Sequence, residues 1–113
     1  MKPRGRPKKY RIVSKTPKIS QFSPRGRPGR PDEIDLKMDE FEAIRLSDFE
    51  HLKQLEAAKH MKISQQTFSR ILKRARKTVA EGLVHGKIIK IQGGSYLIHS
   101  QQNFPQKTEK KPQ

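Results

Sequence analysis

The chain has 113 residues, the size of one domain, and only 31% of them are hydrophobic, so its core must be small. It has no Cys, which excludes a disulfide framework and thiolate metal sites and fits a reducing compartment. No apolar run approaches the ~20 residues of a membrane span and the amino terminus lacks the apolar core of a signal peptide, so the expected location is the cytoplasm, nucleoid included. The net charge is +15 and unevenly spread. Residues 1–31 hold eleven Lys/Arg and no acid, residues 32–60 four bases and nine acids, and residues 61–99 eight bases and one acid. A polyanion is the expected partner.

Residues 1–9, MKPRGRPKK, have nothing to bury. They contain Pro3-Arg4-Gly5-Arg6-Pro7, and the same five residues recur as Pro24-Arg25-Gly26-Arg27-Pro28. PRGRP resembles the core of an AT-hook, which implies that Arg4 and Arg6, and again Arg25 and Arg27, lie along the floor of an A·T-rich minor groove. Gly5 and Gly26 would let the backbone approach that floor. The plain alternative is a basic arm touching phosphates without sequence preference. Between the copies, Ile12, Val13, Ile19 and Phe22 predict one or two short extended segments, with Pro17 confining them to an edge or a turn.

Pro31 to Lys37 reads as a lead-in. A first helix is predicted from about Met38 to Asp48, with Asp39, Glu40 and Glu42 in its first turns, where the helix dipole favours acids. Phe41, Ile44 and Leu46 supply its inward side, with Phe49 just beyond, and its acids are expected on a solvated face turned away from any nucleic acid. A short second helix is predicted over Gln54–His60, with Leu55, Ala57 and Ala58 inward. The two alanines suit a place where another helix crosses closely. Met61-Lys62-Ile63 breaks that pattern, and Ser64 is a fitting N-cap for a third helix. From there Phe68, Ile71, Leu72, Ala75, Val79 and Leu83 recur at offsets of three and four, one apolar stripe at helical period. The other face carries Gln65, Gln66, Ser69, Arg70, Lys73, Arg76 and Lys77. The helix is expected to run to about His85, with Gly86 as its terminator. A short helix, a tight turn and a longer helix with amide and cationic groups outward is how a helix-turn-helix meets a major groove.

Lys87 to His99, KIIKIQGGSYLIH, reads as a hairpin turning at Gly93-Gly94, with Ile91 opposite Tyr96 and Ile89 opposite Ile98. A lone hairpin is marginal in water. Its apolar face must pack on the 10–22 segment, on the long helix or on a second subunit, and the 10–22 segment is the first choice because its strand-like residues have no other use. Residues 100–113 are polar and punctuated by proline, a composition expected to stay disordered.

The stretch MDEFEAIRLSDFEHLKQLEAAKHMKISQQTFSRILKRARKTVAEGLVHGKIIKIQGGSY, Met38 to Tyr96, resembles the small predicted DNA-binding proteins of the UPF zero-two-five-one family (domain of unknown function one-three-four). Tyr10 to Pro24 resembles that family's amino-terminal stretch more loosely. The family's helix-turn-helix is itself similar to region four of sigma factors. Two residues depart from its pattern. Lys53 stands where a small hydroxyl residue usually caps the motif's first helix, and Lys62 stands where a turn glycine is usual. The resemblance implies groove-facing positions at Ser64, Gln65, Gln66, Ser69 and Arg70. Gln65, Gln66 and Arg70 are the first choices for base contacts, Gln suiting adenine and Arg suiting guanine. Lys62, Lys73, Arg74, Arg76 and Lys77 are better suited to phosphates.

The predicted fold is therefore mainly α: a three-helix core with a helix-turn-helix, a basic amino-terminal arm with short extended segments, and a carboxy-terminal β-hairpin. The expected function is double-stranded DNA binding by a transcriptional regulator or nucleoid-associated factor. The transcription machinery and a second copy of the chain are further candidate partners, and no membrane is expected to be one. The rivals are an RNA-binding or ribosome-associated basic protein and a sigma-like protein-interaction module. No catalytic residue, cofactor or metal site is predicted: His51, His60, His85 and His99 are scattered with no i, i+4 pair, and no glycine loop of phosphate-cradling type precedes a helix.

Overall fold

The computed structural model describes residues 10–26 and 29–98. Arg4, Gly5, Arg6, Arg27, His99 and the 100–113 tail lie outside the described residues. Strands β1 (Arg11–Val13), β2 (Gln21–Phe22) and β3 (Glu33–Leu36) precede the helices. Helix α1 (Met38–Ile44) runs into a π-helical end, Arg45–Phe49, and is followed by α2 (Gln54–Met61) and α3 (Gln65–His85). Strands β4 (Ile88–Ile91) and β5 (Tyr96–Ile98) close the described chain.

The helices follow their local signals. Ser64 caps α3, its Oγ accepting from the Thr67 backbone N–H at 3.1 Å, and Gly86 ends the helix in left-handed backbone at φ 66°. Over α3 the buried residues Phe68, Ile71, Leu72, Ala75 and Gly82 trace the predicted stripe. Leu83 is the exception, 73% exposed, because Gly82 takes the inward position beside it. On α2 the inward line is Ala57, Ala58 and Met61, with Gln54 half-buried. Leu55, predicted inward, lies off that line and is 52% exposed. Phe49 is exposed as well. It lies two turns past the buried Glu42, where α geometry would point it inward. The wider π turn, closed by the Glu50 N–H on the Arg45 carbonyl at 2.8 Å, carries it out.

Two clusters make the core. Ala43 and Leu46 of the first helical segment, Ala57, Ala58 and Met61 of α2, and Phe68, Ile71 and Leu72 of α3 form one. Val13, Leu36, Met38, Ala75 and Ile91 form the other, where α1 and the middle of α3 meet the strands. Ile44 packs against both.

The strands are more numerous than expected and pair differently. β4 is the central strand of a three-stranded sheet ordered β2-β4-β3, antiparallel to β2 and parallel to β3. β5 pairs in parallel with β1, Arg11 opposite Tyr96 and Val13 opposite Ile98. The two carboxy-terminal strands stand where the sequence places them, joined through Gly93-Gly94, but their ladder partners are amino-terminal. Ile89 faces Phe22 on one side and Ile34 on the other, not Ile98. Pairing β4 on both edges satisfies both of its rows of backbone groups, which a lone two-strand hairpin would leave half open. The 10–22 segment is thus the packing partner, as predicted, and it contributes Val13 to the core with no exposed surface. β3 forms within the predicted lead-in, where Glu33-Ile34-Asp35-Leu36 alternates at period two and buries its Leu.

Candidate nucleic-acid interface

α2 and α3 are separated only by Lys62, Ile63 and Ser64. Lys62 turns the chain in left-handed backbone, φ 58° and ψ 46°. Its N–H bonds the Lys59 carbonyl at 3.1 Å and the Ile63 N–H bonds the Ala58 carbonyl at 3.0 Å. Half-buried Ile63 packs onto the helical cluster. Lys53 begins α2 without a side-chain cap.

Beyond this turn, α3 presents a polar face over its first half. Ser64, Gln65, Gln66, Ser69, Arg70, Lys73, Arg74, Arg76 and Lys77 are all exposed, as is Lys62. Gln66, Arg70, Lys73 and Lys77 recur at spacings of four, three and four, a single line opposite Phe68 and Ala75. Gln65, Ser69 and Arg76 lie on one flank of it and Arg74 on the other. Ser64 is committed to the cap, and its Oγ also lies 3.0 Å from the Thr67 hydroxyl, so it has less capacity for an outside partner. Arg70, Lys73 and Arg74 form no ion pair among the described residues, and Lys77 forms none within 4 Å although its charge helps lower the Glu81 pKa. In the second PRGRP copy Arg25 and Gly26 are exposed. Gly26 is left-handed at φ 76°, so its glycine serves a turn rather than a straight extended strand.

The acids of the first helix are not a solvated face. Asp39, Glu40 and Glu42 are buried, Glu42 completely. Glu40 accepts from the Lys37 backbone N–H at 3.0 Å and so caps α1. Asp39 accepts from the Glu40 N–H at 2.9 Å and sits 3.7 Å from the Arg11 guanidinium. Glu42 accepts from the Ser14 backbone N–H at 2.9 Å and from Arg45 Nε and Nη2, both at 2.9 Å. Arg45 also reaches Glu50 at 3.2 Å. Donating to Glu42 raises the already high pKa of the Arg45 guanidinium further, against the opposing effect of burial. These carboxylates hold the fold together, tying β1 to α1 and pinning the π-helical end. Their signal in the sequence is the Glu42–Arg45 pair one helical turn apart.

Asp48, at that π-helical end, reaches α3. Arg76 donates to it through Nη2 at 2.7 Å and Nε at 3.2 Å. The bond from Arg76 lowers the Asp48 pKa and Asp48 raises that of Arg76. No spacing rule could have joined residues so far apart in the chain. Among the described residues no group of three or more His, Asp or Glu is placed to hold a metal ion, and no helix is long and apolar enough to cross a membrane.

The family model "Protein of unknown function DUF134" matches residues 1–99. The chain belongs to the DUF134 family. A UPF0251 protein of Caldicellulosiruptor saccharolyticus is 51% identical over 92 residues, 81% of this chain and 65% of that protein. A UPF0251 protein of Prosthecochloris aestuarii is 46% identical over 99 residues, covering 87% and 64% of the two chains. One of Thermoanaerobacter pseudethanolicus is 45% identical over 97 residues, covering 85% and 82%. The chain thus spans about two thirds of the length of the first two of these DUF134 relatives. No solved structure matches it. The DUF134 match takes in both PRGRP copies, every strand and every helix.

Proposed function

We propose that this chain binds double-stranded DNA, with α2, the Lys62 turn and α3 acting as a helix-turn-helix, and that it serves as a transcriptional regulator or nucleoid-associated factor. The observation that carries this reading is the first half of α3. Its apolar side is sealed by Phe68, Ile71, Leu72 and Ala75, while Gln66, Arg70, Lys73 and Lys77 stand exposed in line on the other side. A helix of 21 residues is about 31 Å long, and a B-form major groove, about 12 Å wide, admits such a rod. Gln65, Gln66, Ser69 and Arg70 face base edges in this arrangement, with Lys62, Lys73, Arg74 and Lys77 on phosphates. The PRGRP arginines, Arg4, Arg6, Arg25 and Arg27, take adjacent A·T-rich minor groove. The acids of the first helix favour the reading because most are consumed inside the fold, leaving little negative surface to oppose a polyanion.

DNA is favoured over RNA by shape, since the deep, narrow major groove of A-form RNA does not admit a helix. The test is fluorescence anisotropy with A·T-rich duplex, G·C-rich duplex and duplex RNA. It uses the full chain and a variant with Arg4, Arg6, Arg25 and Arg27 changed to Ala. Both DNAs should bind more tightly than RNA, and the arm variant should bind both DNAs more weakly and lose the A·T preference while still preferring DNA to RNA. RNA binding equal to DNA binding would count against the helix-turn-helix reading.

A further inference from the structure

Arg76 stands apart from the other exposed cations of α3 because it is already held. Its Nε and Nη2 both donate to Asp48, at 3.2 and 2.7 Å, so the side edge of the guanidinium is occupied. The other edge, formed by Nη1 and the second hydrogen of Nη2, points away from Asp48 and can donate to two adjacent acceptors. Arg76 and Asp48 side chains are 54% and 40% exposed, so that edge is accessible.

We propose that Asp48 and Arg76 form a specificity element in which Asp48 is the positioning residue and Arg76 reads the O6/N7 edge of one guanine. This rests on the DNA-binding reading above. It reassigns Arg76, whose sequence position pointed to a phosphate contact, for an electrostatic reason. A phosphate is held by net positive charge, and a carboxylate 2.7 Å from the guanidinium both cancels that charge and repels the phosphate. A guanine edge is neutral and is not repelled, and it offers two acceptors at the spacing of the free guanidinium edge. Asp48 also fixes a side chain that otherwise loses much rotamer freedom on binding. The π-helical end of the first helix supports the assignment independently. This uncommon geometry, over Arg45–Phe49, is pinned by the Glu42–Arg45–Glu50 network, and it is the segment that carries Asp48 to α3. From Gln65 to Arg76 is roughly 16 Å along the helix, so the guanine should fall about four to five base pairs from those met by the first turn of α3.

The test is selection from a randomised DNA duplex pool by wild type, Asp48→Ala, Asp48→Glu and Arg76→Ala, with enriched sequences compared and affinity measured on a fixed random-sequence duplex. Wild type should enrich a site with one guanine about tenfold or more preferred at a single position. Arg76→Ala should lose that preference alone. Asp48→Ala should blur it while binding the random duplex as tightly as wild type or more tightly, because an acid has been removed, and Asp48→Glu should restore part of it. Thermal unfolding of each variant separates these effects from folding, and an exposed pair contributes little to stability. The inference is overturned if Arg76→Ala weakens binding to all sequences equally with a shallower salt slope, the signature of a phosphate contact. It is also overturned if Asp48→Ala keeps the wild-type preference, or if wild type binds duplexes but enriches none. Failure of wild type to bind any duplex would instead overturn the DNA-binding reading itself.

Discussion

Lys62 and Glu42 show how much one position decides. Lys62 adopts left-handed backbone, φ 58°, where a Cβ is strained and glycine is not. Lys62→Gly should therefore stabilise the fold by about 1 kcal/mol, read as a higher urea midpoint, while removing one cation from the proposed DNA surface. Glu42 is wholly buried and accepts three hydrogen bonds, from Ser14 and Arg45. Glu42→Ala leaves Arg45 with the exposed Glu50 alone and removes the buried acceptor of the Ser14 N–H, and should cost about 3–5 kcal/mol, enough to unfold so small a domain at moderate temperature. Retention of a wild-type melting curve in that variant would contradict the burial described above. Asp48 titrates below the ordinary carboxylate range because Arg76 donates to it. Its pairing thus contributes stability above the unfolded-state pKa, and that contribution is lost as pH falls through the lower folded-state value. The exposed pair makes the effect small. Asp48→Asn should lower stability slightly at neutral pH and match wild type at the acid end, where the contribution is already lost, so the variant's stability depends less on pH there.

The packing of α3 on β4 leaves no room for one added methyl. A Cβ at Gly82 would lie 2.6 Å from both Cδ1 and Cγ1 of Ile89. Alanine favours helix by about 1 kcal/mol, but forcing Ile89 from its place costs about 1–3 kcal/mol. Gly82→Ala should be net destabilising, and less so when combined with Ile89→Ala than the two single changes predict. Strict additivity in that double-mutant cycle would mean the two side chains do not meet. The elements also show what can be read along a chain. Ser64, the Phe68–Ala75 stripe and Gly86 announced α3 to the residue, because caps and period 3.6 are local. The pairing of β4 with β2 and β3 was not legible, since strand partners are chosen by tertiary packing across the chain. The Gly93-Gly94 turn pointed to a hairpin register that the amino-terminal strands displaced.

At the scale of the whole molecule, the uneven charge of the sequence becomes a division of labour. Acids near the first helix are turned inward or paired, tying β1, α1 and α3 together, and the exposed cations of α3 are left for the proposed DNA partner. The candidate surface on α3 was legible from periodicity and charge together. The consumption of Asp39, Glu40 and Glu42 by the fold was not, because it depends on Arg45 and Ser14 meeting them in space. The same geometry makes residues 11–13 and 21–22 strands of the sheets, so the arm is best probed by substituting its arginines, since deletion would also remove Val13 from the core. The most direct test of the central claim is a salt titration of DNA affinity for wild type against a variant carrying Arg70→Gln, Lys73→Gln and Lys77→Gln, with circular dichroism confirming that both fold alike. Removing three phosphate- or base-facing cations should lower affinity at least tenfold and make the dependence of log affinity on log salt shallower by about two to three. Equal affinities and equal slopes would show that α3 does not meet DNA.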